Sequence, residues 1–323
     1  AVRDGVTAEE VKGILLGMAS GQETLLGYFR RFIRNFEKRV GINRTVGSLR
    51  AYSNAYSHIE RFLQAQYKLS DIPFSALDRS FIDKYDLYLR TERNLAPGTI
   101  INLTVQLKTI VGEAIADGII TASPFMGYEP MRPKHVQKYL TAEELHRIMT
   151  TPLHRQTLYH VRDMFLFSCF TGIPYGDMRL LTKDNLCLAE DGIWWIKSAR
   201  QKTKIEFEIP LLDLPLQILK KYSGTAPGDK LLPMYCNSTL NLYLKEIARI
   251  CHIDRPLVFH AGRHTYATEI TLSHGVPLET VSRMLGHSQI ETTQIYAKVT
   301  DEKIDADTKA LNRKISERFS VVI

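Results

Sequence analysis

Three short motifs near the end of the 323-residue chain carry side chains that could act together on a phosphodiester. They are His260-Ala-Gly-Arg263, then Leu285-Gly-His287, then Tyr296. Attack on a phosphodiester builds negative charge on the non-bridging oxygens, so its site needs fixed cationic or N–H donors. Arg263 offers a bidentate fork, while His260 and His287 offer single donors that also move protons near neutral pH. Phenols are mostly protonated at neutral pH, so the hydroxyl of Tyr296 becomes a nucleophile once a base or a cationic field helps it lose its proton.

Each motif also has an ordinary structural explanation. An isolated HxxR pair on a helix is usually a surface feature or an internally paired one, and Tyr296 between two apolar neighbours resembles a core residue. His264 is interpreted as a buried helix residue rather than a participant. His260 and His264 could also bind zinc from one helix face, but a zinc protease needs glutamate where Ala261 stands. No third ligand is apparent, so we predict no metal.

The N-terminal part of the chain must supply a separate helical framework. From about residue 23 to 127, apolar residues recur at three- and four-residue steps, which predicts a helical bundle. One helix is predicted over 80–90 and another over 97–117, with Gly118 as its stop.

In the remainder of the chain, the spacing of apolar residues changes from a helical to a partly alternating pattern. Thr141-Ala-Glu-Glu144 is a capping box at the head of a helix, and an apolar helix follows over about 155–170. Alternating residues predict strands over 193–196 and 204–209. Helices are predicted again over 211–222, 236–250, 261–273 and 277–285, before an amphipathic tail over 301–319. The predicted fold class is mainly α with a small antiparallel β-sheet.

Composition limits the classes of function. No stretch approaches the roughly 20 apolar residues that cross a bilayer, and no secretory signal is apparent, so we expect a cytoplasmic protein. The four cysteines form no CxxC pair and are interpreted as free thiols. The sequence contains no Gly-rich phosphate loop of the kind that binds nucleotides, and we predict no cofactor. The formal charge of +7 favours a polyanionic partner.

Basic residues are concentrated in two segments. Between Gly27 and Arg50 there are seven, against the single acid Glu37. A solvated helix face or a phosphate-tracking surface explains such a run. The segment 129–138 combines two prolines with cations, which is typical of a linker that lies along DNA. The predicted DNA-binding residues of the two segments are Arg30, Arg31, Arg34, Lys38, Arg39, Arg132 and Lys134.

With these motifs, the chain resembles the tyrosine recombinase (phage-type integrase) family, and the integrases of Bacteroides-type conjugative transposons most of all. The HxxR box of that family matches His260 and Arg263, its LGH box matches His287, and its nucleophile matches Tyr296. Residues 289–299 are close to what integrases of conjugative and phage elements carry. The resemblance implies a site-specific recombinase that integrates or excises a mobile element through a 3′-phosphotyrosyl intermediate.

The resemblance also implies an organisation and partners. We expect an N-terminal lead-in over 1–22, a helical core-binding domain over 23–128, the linker over 129–138, and a mixed α/β catalytic domain with its tail over 139–323. The partners would be double-stranded DNA and a homotetramer on two DNA sites, with room for accessory DNA-bending proteins. By its distance from Pro210, Lys202 matches the hairpin lysine of the family, the proton donor to the leaving oxygen. Lys204 is the alternative.

One family position departs from the pattern. The first arginine normally stands in a TGxR motif, but Pro174 occupies its place while the acidic position survives as Asp177. We predict that Arg162, within the apolar helix that leads into this motif, replaces it, with a DNA phosphate or Asp177 as partner. Arg179 points away on helical geometry, and the direction of Arg200 cannot be inferred. The departure leaves two other functions open: a DNA-binding protein of recombinase descent that does not cut, and a topoisomerase with the same chemistry.

Overall fold

The computed structural model describes residues 22–131 and 138–296, with isolated positions near either end of the chain (8, 11, 12, 15, 308, 309, 311–313 and 315). The chain divides into two compact units, Ala1–His135 and Val136–Ile323. Most of the linker predicted over 129–138 and most of the tail predicted over 301–319 lie outside the described residues. Both therefore stay predictions.

The N-terminal unit is a bundle of helices, as predicted. Its helices are α1 (Leu25–Glu37), α2 (Val46–Phe62, continued by a π-helical turn over Leu63–Tyr67), α3 (Arg79–Thr91) and α4 (Pro97–Ala116). Side-chain caps begin two of them: Thr45 accepts from the backbone N–H of Ser48, and Asp78 accepts from that of Phe81. Gly118, just past α4, has φ +73°, the left-handed conformation that glycine adopts freely after a helix.

The C-terminal unit combines helices with a small sheet. The capping box at Thr141 and Glu144 forms as predicted and starts α5. The helices are α5 (Ala142–Thr150), α6 (Gln156–Thr171), α7 (Tyr175–Met178), α8 (Asp213–Tyr222), α9 (Asn237–Ile250), α10 (Ala261–Thr265), α11 (Leu278–Leu285) and α12 (Glu291–Gln294). The strands β1 (Leu186–Leu188), β2 (Trp194–Ala199) and β3 (Glu206–Pro210) form an antiparallel sheet in the order β1-β2-β3. The predicted fold class, mainly α with a small antiparallel sheet, is confirmed.

Two local features differ from the predictions. Strand β1 was not predicted, because its three half-exposed or exposed residues are too few to show an alternating pattern. The helix predicted over 261–273 is α-helical only over Ala261–Thr265, then widens into a π-helical segment (Tyr266–Thr271) and a 3-10 turn (Leu272–His274). Side-chain competition contributes to the widening, since the hydroxyl of Thr271 donates to the carbonyls of Tyr266 and Ala267.

Helix α6 is the central element of the C-terminal unit. Its residues from Met164 to Cys169 are all buried, so it is apolar on nearly every side and lacks an amphipathic stripe. It packs against α8, α9 and α10, which fixes the position of the HxxR motif. No helix within the described residues is long and apolar enough to cross a membrane.

Candidate active site

Arg263 is buried at the centre of the candidate site because α10 packs very close to α6. Gly262, its neighbour, has no side chain, and a Cβ there would stand 2.9 Å from Oγ of Ser168 on α6. Arg263 itself is 3% exposed. A buried guanidinium is tolerated when its N–H groups find acceptors, so the surrounding elements must supply them.

The acceptors are carbonyl groups at two helix C-termini. Nη1 of Arg263 donates to the carbonyl of Gly172, which caps α6, at 2.9 Å. Nη2 donates to the carbonyl of Leu285, the last residue of α11, at 2.7 Å. Such carbonyls lack intrahelical partners and carry partial negative charge, which suits a cation. Each helix ends in a left-handed glycine, Gly172 with φ +70° and Gly286 with φ +63°.

A second arginine reaches the same carbonyl from the β2–β3 turn. Nη1 of Arg200 donates to the carbonyl of Leu285 at 3.2 Å, and its Nε forms an ion pair with Oδ2 of Asp177 at 2.8 Å. The N–H of that Nε does not point along the contact, so it is an ion pair without a hydrogen bond. Asp177 also accepts from the backbone N–H of Gln201 at 2.9 Å. Asp177 thus fixes the β2–β3 turn that positions Arg200.

Half-buried Arg200 and buried Arg263 therefore form one cationic pair. Burial, and after it the neighbouring charge of Arg200, lowers the pKa of Arg263 to about 10, while Tyr296 acts in the opposite direction. The guanidinium remains charged at neutral pH. Gly286 is required for the pairing, because a Cβ there would meet Cγ of Arg200 at 2.9 Å.

Arg162 is not part of this pair and is not bonded to Asp177, so its contacts do not support the prediction that it replaces the arginine missing at Pro174. Its Nη1 donates to the carbonyls of Met149 and Thr151, at 3.3 and 3.4 Å, at the C-terminal end of α5. Its guanidinium lies 4.7 Å from the centre of the Tyr159 ring. The apolar surroundings of Arg162 do require partners, but a helix end and an aromatic face supply them instead of Asp177.

His287 is held between two residues of the site. Its Nε2 lies 2.8 Å from Nη2 of Arg263, and its Nδ1 lies 2.7 Å from Oγ1 of Thr293. Since arginine only donates, Nε2 is an acceptor here, whereas the sequence led us to expect a donor. Burial, followed by the charges of Arg263 and Arg200, lowers the pKa of His287 to about 4. The imidazole is therefore neutral at pH 7.

Tyr296 lies between two histidine rings. Its ring is nearly parallel to that of His287, with the centroids 6.3 Å apart, and meets that of His264 edge to face at 5.1 Å. His264 in turn contacts His260 edge to face at 4.8 Å. Tyr296 is 7% exposed and packs with Tyr266 and with apolar residues of α11. The structure thus brings His260, Arg263, His287 and Tyr296 into one neighbourhood.

His264, which we interpreted as a buried bystander, is half-buried and touches the candidate nucleophile. Burial, followed by the proximity of His260, lowers the pKa of His264 to about 4. Among the described residues, no group of three or more histidine, cysteine or acidic side chains is arranged to hold a metal ion.

The two candidate lysines lie on the β2–β3 turn. Lys202 is exposed at its tip, two residues beyond Arg200. Lys204 is also exposed but has φ +60°, and its backbone N–H donates to the carbonyl of Arg200 at 2.8 Å. Lys204 thereby helps to shape the turn that presents Lys202. The assignment of Lys202 as proton donor stays a prediction.

The predicted DNA-binding residues of α1 and the turn after it are exposed. They are Arg30, Arg31, Arg34, Lys38 and Arg39. Arg30 donates to the hydroxyl of Tyr56 at 2.5 Å, and Arg31 pairs with Glu23 at 3.1 Å. These contacts leave the cations on the surface. Arg132 and Lys134 lie outside the described residues.

Sequence reasoning missed two residues of the site. Asp177 was a usable signal for Arg200, since an acid that has lost its arginine at Pro174 requires another cation. For Thr293 the signal was weaker. It is a polar residue three positions before Tyr296, and the structure buries it completely.

Comparison with known proteins identifies the family of this chain. Residues 138–303 match the model of the phage integrase family, and residues 24–130 match that of the phage integrase SAM-like domain. Tyrosine recombinase XerD of Listeria monocytogenes is 25% identical over 273 residues, which are 79% of this chain and 89% of that protein. XerD of Staphylococcus saprophyticus is 26% identical over 297 residues, 87% of this chain and 96% of its own.

Solved structures share the fold. The Tn1549 transposon integrase in complex with transposon right end DNA superposes with a TM-score of 0.69 and 19% identity, over 90% of this chain and 99% of that one. A lambda integrase dimer bound to a COC′ core site superposes with a TM-score of 0.69 and 18% identity. The match covers 86% of this chain and 100% of that one.

The site and the fold together define a tyrosine recombinase, an enzyme that cleaves and rejoins DNA through a phosphotyrosine intermediate. The chain belongs to the phage integrase family, and its function is site-specific recombination. The resemblance to the tyrosine recombinase family is confirmed, and the likeness to Bacteroides-type integrases in particular stays a prediction.

Proposed function

We propose that Tyr296 is the nucleophile and that Arg263 and Arg200 together bind the scissile phosphate. The single observation that carries this assignment is the convergence of both guanidinium groups on the carbonyl of Leu285, beside His287 and Tyr296. Arg200 then supplies the charge that Pro174 cannot. Preorganised donors of this kind are typically worth about 100-fold or more in rate each.

In the proposed reaction, the phenol oxygen of Tyr296 bonds to phosphorus as the bond to the 5′ oxygen breaks. The phenol proton passes to a nearby base, for which the exposed His260 is the candidate, and Lys202 protonates the departing 5′ oxygen. Attack by the 5′ hydroxyl of another strand on the phosphotyrosine reverses these steps and restores Tyr296. The phosphodiester energy is conserved, so the reaction needs neither a nucleotide nor a metal.

The proposed partners are double-stranded DNA and further copies of this chain. Residues 23–128 would form the core-binding domain, whose cations on α1 meet phosphates, and residues 139–323 the catalytic domain with its tail. A lambda integrase tetramer has been seen on a Holliday junction, and its TM-score with this chain is 0.68. By analogy, we propose a homotetramer on two DNA sites that integrates or excises a mobile element in the cytoplasm, with room for accessory DNA-bending proteins.

The test is detection of a covalent adduct. The probe is a nicked suicide duplex that carries the junction of the gene's own genomic flanks. Wild-type protein should give an adduct that survives denaturing electrophoresis and maps to Tyr296 by peptide sequencing. Tyr296→Phe should bind the same duplex and give none. Adduct from the Phe variant would contradict the assignment, and binding without adduct from the wild type would favour a non-cutting DNA-binding protein.

A further inference from the structure

Thr293 is a fully buried polar residue next to the proposed reacting groups. It is 0% exposed and lies on α12, three residues before Tyr296. Its hydroxyl is 2.7 Å from Nδ1 of His287, and its carbonyl accepts from the backbone N–H of Tyr296 at 3.0 Å. One residue thus contacts both the histidine of the LGH motif and the candidate nucleophile.

The position of the proton on His287 follows from its other contact. Nε2 lies 2.8 Å from Nη2 of Arg263, and a guanidinium has only donors. Nε2 must therefore offer its lone pair, and a neutral imidazole then carries its proton on Nδ1. That Nδ1–H donates to the hydroxyl oxygen of Thr293. Burial, with the charges of Arg263 and Arg200, keeps the pKa of His287 at about 4, so the neutral form prevails at pH 7.

We propose that Thr293 is a positioning residue that selects the Nδ1-protonated tautomer of His287, and that His287 in this form orients the guanidinium of Arg263. The inference rests on the proposed roles of Arg263 and Tyr296. Thr293 is itself fixed by burial. The hydrogen bonds from Thr293 to His287 and from His287 to Arg263 therefore hold the guanidinium that is proposed to bind the phosphate in one orientation.

Removal of the hydroxyl should release this constraint. In Thr293→Val the shape is kept but Nδ1–H has no acceptor, so the Nε2-protonated tautomer becomes competitive. Its N–H would then face a guanidinium N–H, donor against donor, and one of the two side chains must turn away. Loss of an outer partner that orients a metal-bound histidine typically costs about 10- to 100-fold in activity, and we expect an effect of the same order for His287.

The experiment compares Thr293→Val with Thr293→Ser and with Thr292→Val, a change at the exposed neighbour. Nitrogen-15 NMR of histidine-labelled full-length protein reports the protonated ring nitrogen, with the His287 signal assigned by its loss in His287→Gln. We expect protonation on Nδ1 in the wild type, Thr293→Ser and Thr292→Val, and a shift towards Nε2 in Thr293→Val. Adduct formation on the nicked duplex should fall about 10- to 100-fold in Thr293→Val only, with the two controls within about twofold of the wild type.

Two results would overturn the proposal. One is a wild-type His287 protonated on Nε2. The other is a Thr293→Val protein that keeps both the wild-type tautomer and the wild-type rate. The first measurement is made on the wild type and needs no variant to fold. It also needs no activity, so a wild type without any adduct would count against the proposed function alone and leave the tautomer measurement decisive for Thr293.

Discussion

Arginine is used in opposite ways in the two units of this chain. On α1 the cations are exposed, and their partners are a tyrosine hydroxyl, an aromatic face or a surface acid. In the C-terminal unit, Arg263 is buried and Arg200 half-buried, and both are bonded to helix-end carbonyls, Arg200 also to Asp177. The first arrangement leaves each side chain free to follow a phosphate backbone, whereas the second holds it at one position.

The difference shows what each kind of site requires. Exposed cations act through summed charge, so each contributes modestly and salt weakens them all. A preorganised pair acts through geometry. The carbonyl groups that accept its hydrogen bonds already hold the guanidinium groups where negative charge develops during the reaction, so no reorganisation is needed at that moment. Substitutions in the two units should therefore differ in size and in kind. The following experiments test that contrast.

The largest effect is expected at the tip of the β2–β3 turn. Lys202→Ala should slow cleavage of ordinary DNA by about 100- to 10,000-fold, because the leaving 5′ oxygen loses its acid. A substrate with sulfur at that position should be cut almost normally, since a thiolate leaves without a proton. Cleavage rates on both substrates, with Lys204→Ala as the matched control, give the answer. If the sulfur substrate restored cleavage by Lys204→Ala and not by Lys202→Ala, the proton donor would be Lys204.

The next effect concerns the Arg200–Arg263 pair. Arg200→Ala should reduce cleavage by about 100-fold while leaving binding nearly intact, and Arg200→Lys should recover only part, because lysine lacks the planar fork. Arg162→Ala and Arg179→Ala, both outside the pair, serve as controls in the same rate and binding assays. Pro174→Arg should partly restore Arg200→Ala if both positions serve one phosphate. A selective cleavage defect in Arg162→Ala with active Arg200→Ala would reverse the assignment.

A smaller and different effect is expected on α1 and the turn after it. The double change Arg34→Ala and Arg39→Ala should weaken DNA binding and lower the slope of log affinity against log salt by about 1 per lost phosphate contact. Cleavage at saturating protein should be unchanged. The matched control replaces both residues with lysine, which keeps the charge and should keep the slope. An unchanged slope in the alanine variant would remove these cations from the DNA surface.

The smallest effect is on stability. His264 and His287 have pKa values of about 4 in the folded protein against about 6.5 in an unfolded chain. Between these values the unfolded chain binds more protons, so the stability they contribute is present above pH 6.5 and is lost as the pH falls towards 4. The melting temperature should therefore fall over this window, and His264→Asn should show a shallower fall. Equal slopes for the two proteins would contradict this.

Much of the fold could be predicted because its signals are local. The capping box at Thr141, the proline that opens α4 and the glycine that follows it act within a few residues, so their helices begin or end where expected. The π-helical segment after Thr265 could not be predicted, because it depends on side-chain bonding within an already packed helix.

The sequence by itself determined the family and the order of its motifs, and it made His260, Arg263, His287 and Tyr296 the candidate site residues, because these follow from residue type and spacing. Which arginine lies beside Arg263 was decided only by tertiary structure, and on that contact we propose Arg200 as the replacement for the missing arginine. Arg162 and Arg200 are the same residue type, and nothing local reveals which way a side chain on a hairpin turn points. Arg200 and Arg263 both donate to the carbonyl of Leu285 at the end of α11, which brings the two side chains together. Arg162 instead donates to the carbonyl of Met149 at the end of α5. Thr293 likewise gains its role from a contact across the chain, which spacing cannot show.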